Sequence, residues 1–273
     1  MDQRSPKIET IAAAFSLTAE KYDSFAIDHP HLTRMRAKVY EHVVRVVPKG
    51  GHILELNAGT GTDAVQLAQR GYRVHATDVA PGMLDRLRSK VRELELGGQI
   101  TVEQRSFLSL SGVQGAPFDA IFSDLGGLNC VPDLSPVIQQ LPQVLRPGGI
   151  VTWVLMPHIC LWEMAEVLRG HFRLAFRRFA RGAVHASLEG LHFDVYYFSP
   201  RQVLQWFGND YELLALEGLS VLTPTAESKG FATSFPGLYR SLAWLDDRLS
   251  PRWPWYNWGD FYMLSLRYRP HAS

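Results

Sequence analysis

Cysteine is scarce in this chain, which holds only Cys130 and Cys160 among its 273 residues. Disulfide frameworks and structural zinc sites are built from several cysteines at short, recurring spacings. Two isolated cysteines offer neither pattern, so we expect reduced thiols and no metal site.

An excess of positive charge is also lacking, because 28 basic residues face 27 acidic ones and the formal net charge is +1. Proteins that grip a phosphate backbone depend on a strong basic field, so we expect no nucleic-acid partner. No apolar run reaches the roughly 18 residues of a membrane-spanning helix, and the chain starts with the polar segment MDQRSPKIET. These features predict a cytoplasmic protein without stable membrane insertion.

Aromatic residues are plentiful at 11% of the chain, and four of the seven tryptophans lie between Trp244 and Trp258. Three interpretations stay open for the Trp-rich stretch RWPWYNWGDF: packing of the last strand against helices, one wall of an aromatic substrate pocket, or contact with a membrane interface. Core packing is the interpretation that we favour.

The order of the apolar segments indicates the fold class. Residues 8–47 have helical spacing on both sides of a break at Pro30, which predicts two N-terminal helices. From residue 50 onward, short apolar segments alternate with helical ones, as in parallel βαβ units. The predicted strands are His52–Leu56, Arg73–Thr77, Ile100–Arg105, Phe118–Ser123 and Ile150–Leu155, and the helices between them are Asp63–Arg70, Pro81–Leu96 and Ser135–Leu145.

The alternation loosens after residue 157 and resumes near residue 199. Between these points we predict a helix at Cys160–Arg169 and two strand-like stretches, Phe172–Phe179 and Leu191–Phe198. Arginines 173, 177, 178 and 181 are most simply a solvated strand edge there, with an acidic substrate or partner as the alternative. We divide the chain into a helical cap (1–49), a core (50–157), an insertion (158–197) and the C-terminal part of the core with the Trp-rich stretch (198–273).

The segment LELNAGTG raises the question of a cofactor. Glu55 stands at the end of a predicted strand, and Gly59 and Gly61 let the backbone approach a ligand at the start of the next helix. Asp78 stands at the end of the next predicted strand, where a carboxylate can accept hydrogen bonds from a ribose diol. Two acids at the ends of adjacent strands indicate a nucleotide cofactor.

The segments LELNAGTG, VHATDVAPGML, FDAIFSDLGGLNCV and VLRPGGIVTW follow one another in this order. With them the chain resembles the class I S-adenosylmethionine-dependent methyltransferases of the small-molecule type, well over residues 50–155 and loosely elsewhere. The resemblance implies an α/β fold with a doubly wound, mostly parallel seven-stranded sheet, an antiparallel last strand, an N-terminal helical cap and an insertion after strand five. It also implies that residues 50–157 bind S-adenosylmethionine, that S-adenosylhomocysteine is the product, and that residues 158–197 form a substrate lid.

The resemblance assigns cofactor contacts by position. The first motif holds the methionine part in that family, the acid after the second strand holds the ribose, and residues after the second and third strands flank the adenine. Tyr22 resembles the tyrosine of an N-terminal lid, while Arg34, on a helix face that it shares with Arg36 and that we expect to be solvated, is a candidate for the cofactor carboxylate. The predicted cofactor-binding residues are Tyr22, Arg34, Glu55, Asn57, Ala58, Gly59, Gly61, Asp78, Val79, Met83, Ser106, Phe107, Ser123 and Leu125.

Two positions depart from the family pattern. Asn57 replaces the first glycine of the usual motif, and Ser106 replaces the acid that often receives the adenine amino group. Asparagine tolerates left-handed backbone angles and serine can still accept a hydrogen bond, so we expect both changes to be compatible with binding.

Methyl transfer to a hydroxyl or carbon needs a group that takes the acceptor's proton. The catalytic candidates are His29 and His158, because histidine titrates near neutral pH, and Asp124, which follows the fourth strand beside the expected reaction centre. DNA and protein-glutamine methylators of the family often carry Asn-Pro-Pro-Tyr at this place, where the present chain has SDLGGLN. We therefore expect no methylation of a nucleobase or glutamine nitrogen.

Three functions are compatible with these features. The leading one is methyl transfer to a small, lipophilic or aromatic metabolite by a monomer or homodimer, with the acceptor atom (O, N or C) open. The second is a catalytically degenerate cofactor-binding fold that serves as a partner subunit, which the changes at Asn57 and Ser106 suggest. The third is a nicotinamide-dependent oxidoreductase, because GTGTDA followed by Asp78 loosely imitates the dinucleotide fingerprint.

Overall fold

A computed structural model describes residues 6–26, 29–180 and 182–270. The chain opens with two helices, α1 (Pro6–Ala26) and α2 (Pro30–Val46). Helix α2 begins at Pro30 because the ring fixes a helical backbone angle, and the side chain of His29 accepts a hydrogen bond from the backbone N–H of Leu32. Its buried face includes residues at helical spacing, among them Leu32, Met35, Val39 and Val43.

A seven-stranded sheet forms the centre of the molecule. Its strands, in spatial order, are β3 (Ile100–Gln104), β2 (Arg73–Asp78), β1 (His52–Glu55), β4 (Phe118–Ser123), β5 (Leu145–Leu155), β9 (Phe261–Tyr268) and β8 (Tyr211–Leu219). All neighbours are parallel except the pairs that β9 makes, which are antiparallel. The predicted fold class is therefore confirmed, including the antiparallel last strand in the sequence.

Helices pack on both faces of this sheet and enclose two apolar layers. One layer contains residues of α2 and of the helices α3 (Thr62–Gln69) and α4 (Pro81–Glu93). The opposite layer contains residues of α5 (Ser135–Ile138), α6 (Leu141–Val144) and α9 (Pro200–Phe207). We predicted one helix over Ser135–Leu145, but it is divided in two, since a proline at position 142 has no N–H for a bond to the preceding turn.

The insertion differs from its prediction. It contains α7 (Leu161–Ala165), α8 (Phe172–Phe176) and a hairpin of β6 (Val184–Leu188) and β7 (Leu191–Val195). The predicted strand at Phe172–Phe179 is wrong, because this stretch is α8 followed by a short 3₁₀ helix. Its phenylalanines recur every three or four residues, which suits a helix face better than the alternation of a strand.

The C-terminal part adds α10 (Phe231–Ser234) and α11 (Pro236–Leu249) before β9. Core packing is wrong for Trp253 of the Trp-rich stretch, because this side chain is exposed, while the rings of Trp255 and Trp258 pack against each other. No helix in the described ranges is long and apolar enough to cross a bilayer. The division of the chain into four parts stays a prediction.

Candidate active site

A cavity of about 280 Å³ lies where the strands β1, β2 and β4 end. The carboxyl ends of parallel strands are the usual place for ligands in open α/β sheets. Apolar residues of α1 and of β7 cover this first cavity, and the rings of Phe15 and Phe193 meet there at 5.6 Å. The N-terminal helix and the inserted hairpin therefore form its roof together.

The loop after β1 forms the floor of the first cavity. Asn57 and Gly59 have positive backbone φ angles of 49° and 56°, and both residues line the cavity together with Ala58. The next glycine, Gly61, caps α3 with a φ of 79°, and a Cβ at this position would lie 2.0 Å from a methyl group of Leu87. The sharp turn into α3 thus depends on the glycine at position 61.

Asp78 stands beside this loop, at the end of β2. Its two carboxylate oxygens accept hydrogen bonds of 2.8 Å from the backbone N–H groups of Gly59 and Ala80. Burial raises the pKa of the carboxyl, and the backbone hydrogen bonds oppose this shift. Asp78 therefore lines the cavity, and its hydrogen bonds hold the backbone at Gly59 and Ala80 in place.

Asn57 connects the loop after β1 to the loop after β4. Its side-chain oxygen accepts a 2.7 Å hydrogen bond from the hydroxyl of Ser123, and its amide nitrogen donates to the carbonyl oxygen of Asp124 at 3.4 Å. A Cβ on Gly127 would lie 2.2 Å from this nitrogen, so the asparagine needs a glycine opposite. The departure from the family pattern at Asn57 is therefore accommodated by both its φ angle and its neighbours.

Buried charges occupy one end of the first cavity. The Arg36 Nε atom lies 3.1 Å from Asp63 Oδ1 and 3.7 Å from Asp124 Oδ2, and the Tyr40 hydroxyl donates a hydrogen bond to Asp63. Glu55 is buried behind them. We call these residues the carboxylate cluster: Arg36, Tyr40, Glu55, Asp63 and Asp124.

The carboxylate cluster holds three acids for one arginine. Burial, and then the charge of Asp63, raises the pKa of Asp124 to about 8. The same two causes, with the charge of Asp124 added, raise the pKa of Glu55 well above its ordinary value. Glu55 Oε2 and Asp124 Oδ2 are buried and have no hydrogen-bond partner within the described part of the chain. The cluster is therefore short of positive charge and of hydrogen-bond donors.

The opposite end of the first cavity is more apolar. Val79, Met83 and Phe107 line it, together with Ser106, whose hydroxyl oxygen accepts a 3.2 Å hydrogen bond from the Leu108 backbone. Val79 follows β2 and Ser106 follows β3, so this end lies between the loops after two neighbouring strands.

Comparisons with known proteins agree with this geometry. A family model described as a methyltransferase domain matches residues 53–149. A malonyl-[acyl-carrier protein] O-methyltransferase of Halorhodospira halophila is 29% identical over 75% of this chain and 71% of its own length. A ubiquinone biosynthesis O-methyltransferase of Xanthomonas axonopodis is 31% identical, but over only 38% of this chain and 43% of its own length.

Among solved structures, that of DhpI in complex with SAH has the same fold. It aligns with a TM-score of 0.58 at 18% identity and covers 97% of this chain and 98% of its own. Residues 53–149 thus match a methyltransferase domain, and the chain has the fold of the class I S-adenosylmethionine-dependent methyltransferases. The methyltransferase uses S-adenosylmethionine as cofactor, and the comparisons give no support to an oxidoreductase or a partner subunit.

Most of the predicted cofactor-binding residues of this methyltransferase lie together. Besides the floor residues, the lining contains Tyr22, Asp78, Val79, Met83, Ser106, Phe107 and Leu125, and the catalytic candidate Asp124. Three others lie directly behind the lining: Glu55 in the carboxylate cluster, Gly61 at the start of α3, and Ser123 under Asn57.

Three predicted residues lie elsewhere. Arg34 is on another face of α2, where its guanidinium binds Asp246 at 2.8 Å and also contacts Asp247. His29 Nδ1 accepts a hydrogen bond from the N–H of Leu32, and His29 Nε2 lies 2.7 Å from the carbonyl oxygen of Ala226. Burial lowers the pKa of this histidine. His158 Nδ1 lies 3.1 Å from the carbonyl oxygen of Arg178. None of the three side chains lines the first cavity.

Sequence reasoning missed Arg36, which we expected on a solvated helix face. It is buried in the methyltransferase because Asp63, at the start of α3, faces it across the interface of the two helices. A helical-wheel count places Arg36 near the apolar face of α2, four residues after Leu32 and three before Val39. This spacing was the available signal for its burial.

A second cavity of about 280 Å³ adjoins the first. Tyr22, Arg36, Leu125 and Met156 line both. The remaining lining of the second cavity comprises Leu32, Glu163, Arg177, Arg178, Thr225, Ala226, Glu227, Asp260 and Phe261.

The polar wall of the second cavity is an ion-pair network. Glu163 accepts hydrogen bonds from Arg177 and Arg178, and Arg178 also binds Asp260 at 2.6 Å. The expectation of a solvated strand edge is therefore wrong for Arg177 and Arg178, while position 181 lies outside the described residues. Cys160, Glu163 and Asp260 bring potential metal ligands within 4.8 Å of one another, but Arg178 occupies both carboxylates.

Proposed function

We propose that this methyltransferase transfers a methyl group from S-adenosylmethionine in the first cavity to a small, largely apolar acceptor in the second. The observation that carries this proposal is the wall that the two cavities share, at Tyr22, Arg36, Leu125 and Met156. Two sites joined in this way can hold the two reactants of a direct displacement side by side. The apolar lining contributed by Leu32 and Phe261 favours an acceptor with an apolar body.

The lining of the first cavity fits the parts of the cofactor. Asp78 is suited to the ribose hydroxyls, because each of its oxygens keeps a lone pair beside the bond to the backbone. The apolar end with Ser106 and Phe107 is suited to the adenine. The unpartnered oxygen of Glu55 and the excess of carboxylates around Arg36 favour a ligand with an ammonium group.

When bound, S-adenosylmethionine supplies a methyl group on a positively charged sulfur. The residues of this chain align the acceptor with that methyl group and exclude water from it. The described residues that line the two cavities include no histidine. We assign the acceptor's proton to Asp124, whose buried Oδ2 has no hydrogen-bond partner among the described residues and whose pKa of about 8 suits a proton acceptor.

The acceptor atom in this proposal is an oxygen. The two relatives described above are named as O-methyltransferases, which supports this choice. A hydroxyl or carboxylic acid oxygen also gives Asp124 a proton to accept when the oxygen is not already ionised.

The first test is calorimetric titration of the purified protein with S-adenosylmethionine, S-adenosylhomocysteine and NAD in parallel. We expect affinity for the first two and none for NAD, followed by mass-spectrometric detection of a methylated product in a screen of lipophilic hydroxyl compounds. Binding of NAD alone, or of none of the three, would contradict the proposed function.

The second test concerns the acceptor cavity. Ala226→Leu places a larger side chain in the lining of the second cavity, which reduces the space for the acceptor, and should raise the KM for the acceptor while leaving the affinity for S-adenosylmethionine unchanged. Ala165→Leu is the matched control, since Ala165 is exposed on α7 and lines neither cavity. Equal KM values for the two variants would place the acceptor elsewhere.

A further inference from the structure

Large apolar side chains are exposed on one short part of the insertion. Between Glu166 and Phe179, which we call the docking segment, Leu168 is 90% exposed, Phe172 59%, Phe176 52% and Phe179 46%. The rings of Phe176 and Phe179 lie 6.1 Å apart, so these two exposed side chains adjoin one another. Single exposed apolar residues are ordinary on a protein surface, but a group of four with three phenylalanines is not.

Basic residues accompany this apolar row. Arg169, Arg173 and Arg177 each follow one of the apolar residues directly. Arg178 is buried and does not contribute to this surface. Arg169 is paired with Glu166, and Arg177 is paired with Glu163. Arg173 is exposed and forms no ion pair with any residue of the described ranges. The surface thus combines exposed rings with two paired arginines and the unpaired charge of Arg173.

We propose that the docking segment binds the surface of an anionic lipid bilayer. Segments that lie in the membrane interface combine apolar rings, which enter the headgroup region, with arginine or lysine side chains that meet the lipid phosphates. This mode of binding needs no membrane-spanning helix. Because the apolar row is flanked by arginines, the charge pattern favours an anionic bilayer over a second copy of this chain, whose own net charge is only +1.

The inner side of the docking segment reaches the site described above. Arg177 and Arg178 belong to this segment and line the second cavity, where they bind Glu163. A bilayer on the outer side would therefore lie next to the cavity wall, and a lipophilic acceptor could pass between them. This consequence for the acceptor rests on the proposed function, whereas binding to the bilayer does not.

The experiment is co-sedimentation of the full chain with vesicles of phosphatidylcholine alone and of equimolar phosphatidylcholine and phosphatidylglycerol. We expect binding to the anionic vesicles that weakens at high salt and that falls at least about tenfold in Phe172→Ser/Phe176→Ser. The matched control is Leu94→Ser/Leu213→Ser. It removes two similarly exposed side chains that lie outside the docking segment, one after α4 and one on the edge strand β8. Arg169→Ser/Arg173→Ser should weaken binding to the anionic vesicles.

Three results would overturn the proposal. The first is wild-type protein that stays in solution with both kinds of vesicle, and the second is an equal loss of vesicle binding in the phenylalanine variant and its control. The third is light scattering that shows a dimer which only the phenylalanine variant loses. The third result would assign the docking segment to self-association. Titration of the same proteins with S-adenosylmethionine keeps the two proposals apart. Vesicle binding without cofactor binding would contradict the proposed function alone.

Discussion

Arg36 and Asp63 form a buried ion pair in which each side chain is only 10% exposed and the Nε and Oδ1 atoms lie 3.1 Å apart. Arg36→Gln would leave the carboxylates of Asp63 and Asp124 without their cation. Breaking a buried pair on one side typically costs about 3–5 kcal/mol, so we expect the free energy of unfolding to fall by that order. The affinity for S-adenosylmethionine should fall as well. Urea denaturation and calorimetric titration measure the two effects.

Arg34→Gln is the matched control for Arg36. It removes the same side chain two residues earlier on α2 and breaks the ion pair with Asp246, which is distant from the first cavity. We expect this variant to be destabilised while its affinity for the cofactor stays that of the wild type. A loss of cofactor affinity in Arg34→Gln but not in Arg36→Gln would restore the assignment made from the sequence.

Asp78→Ala tests the ribose assignment. A hydrogen bond to a charged group contributes about 1.5–3 kcal/mol, so loss of two such bonds should weaken cofactor binding by at least about tenfold. Asp85→Ala is the control, because Asp85 lies on α4 with an exposed side chain. Calorimetry decides the matter, and an Asp78→Ala protein with wild-type affinity would exclude this carboxylate from the ribose site.

Asn57 and Gly127 should behave as a coupled pair. In Gly127→Ala the new Cβ would lie 2.2 Å from Asn57 Nδ2, so we expect lower thermal stability and weaker cofactor binding. Asn57→Gly removes the obstructing side chain, and the double variant should regain part of the loss, with a coupling energy of about 0.5–3 kcal/mol. Additive effects in the double-mutant cycle would show that the two loops do not communicate through this contact.

The central strands follow from the sequence because they are short, buried and bounded by polar turns. Strand β5 begins at Leu145, five residues before the predicted Ile150. By contrast, Phe118–Ser123 has the bounds that we predicted, and the ends of β1, β2 and β3 differ from prediction by one residue. These errors are small because the apolar run itself ends where the strand leaves the core. The positions of the first loop's glycines and of Asp78 follow for the same reason, since they depend on local geometry at a strand end.

Contacts between distant segments were beyond reach of the sequence. Arg178 is buried only because Glu163 and Asp260, which are remote from each other in the chain, meet it in the fold. The Nε2 atom of His29 lies next to the carbonyl oxygen of Ala226, which leaves the Nδ1 atom to accept the hydrogen bond that caps α2. A local pattern shows that a residue can titrate or pair, but not which partner the tertiary structure brings to it.

The stability of the ligand-free protein should depend on the titration of Asp124. Its pKa in the folded protein is about 8, whereas that of an unfolded aspartate is about 3.9. Between these values the folded state holds a proton that the unfolded state has lost, so the free energy of unfolding decreases as the pH rises toward 8. Glu55 shifts in the same direction. Thermal unfolding across this pH range should show that the stability of Asp124→Asn declines less steeply with rising pH than that of the wild type. Identical slopes for the two proteins would contradict the shifted pKa of Asp124.

The same carboxyl should appear in the pH dependence of turnover. A group that accepts the acceptor's proton must be ionised, so kcat/KM should rise as the pH passes about 8 and level off above it. Asp124→Asn should lose this limb together with about a hundredfold or more of the rate, while its affinity for S-adenosylmethionine changes little. Cys130→Ser is the control, because the Cys130 thiol also lines the first cavity, yet burial raises its pKa to about 12, outside the range measured. If Asp124→Asn instead loses cofactor affinity and keeps its turnover at saturation, the carboxylate binds the cofactor and the proton leaves by another route.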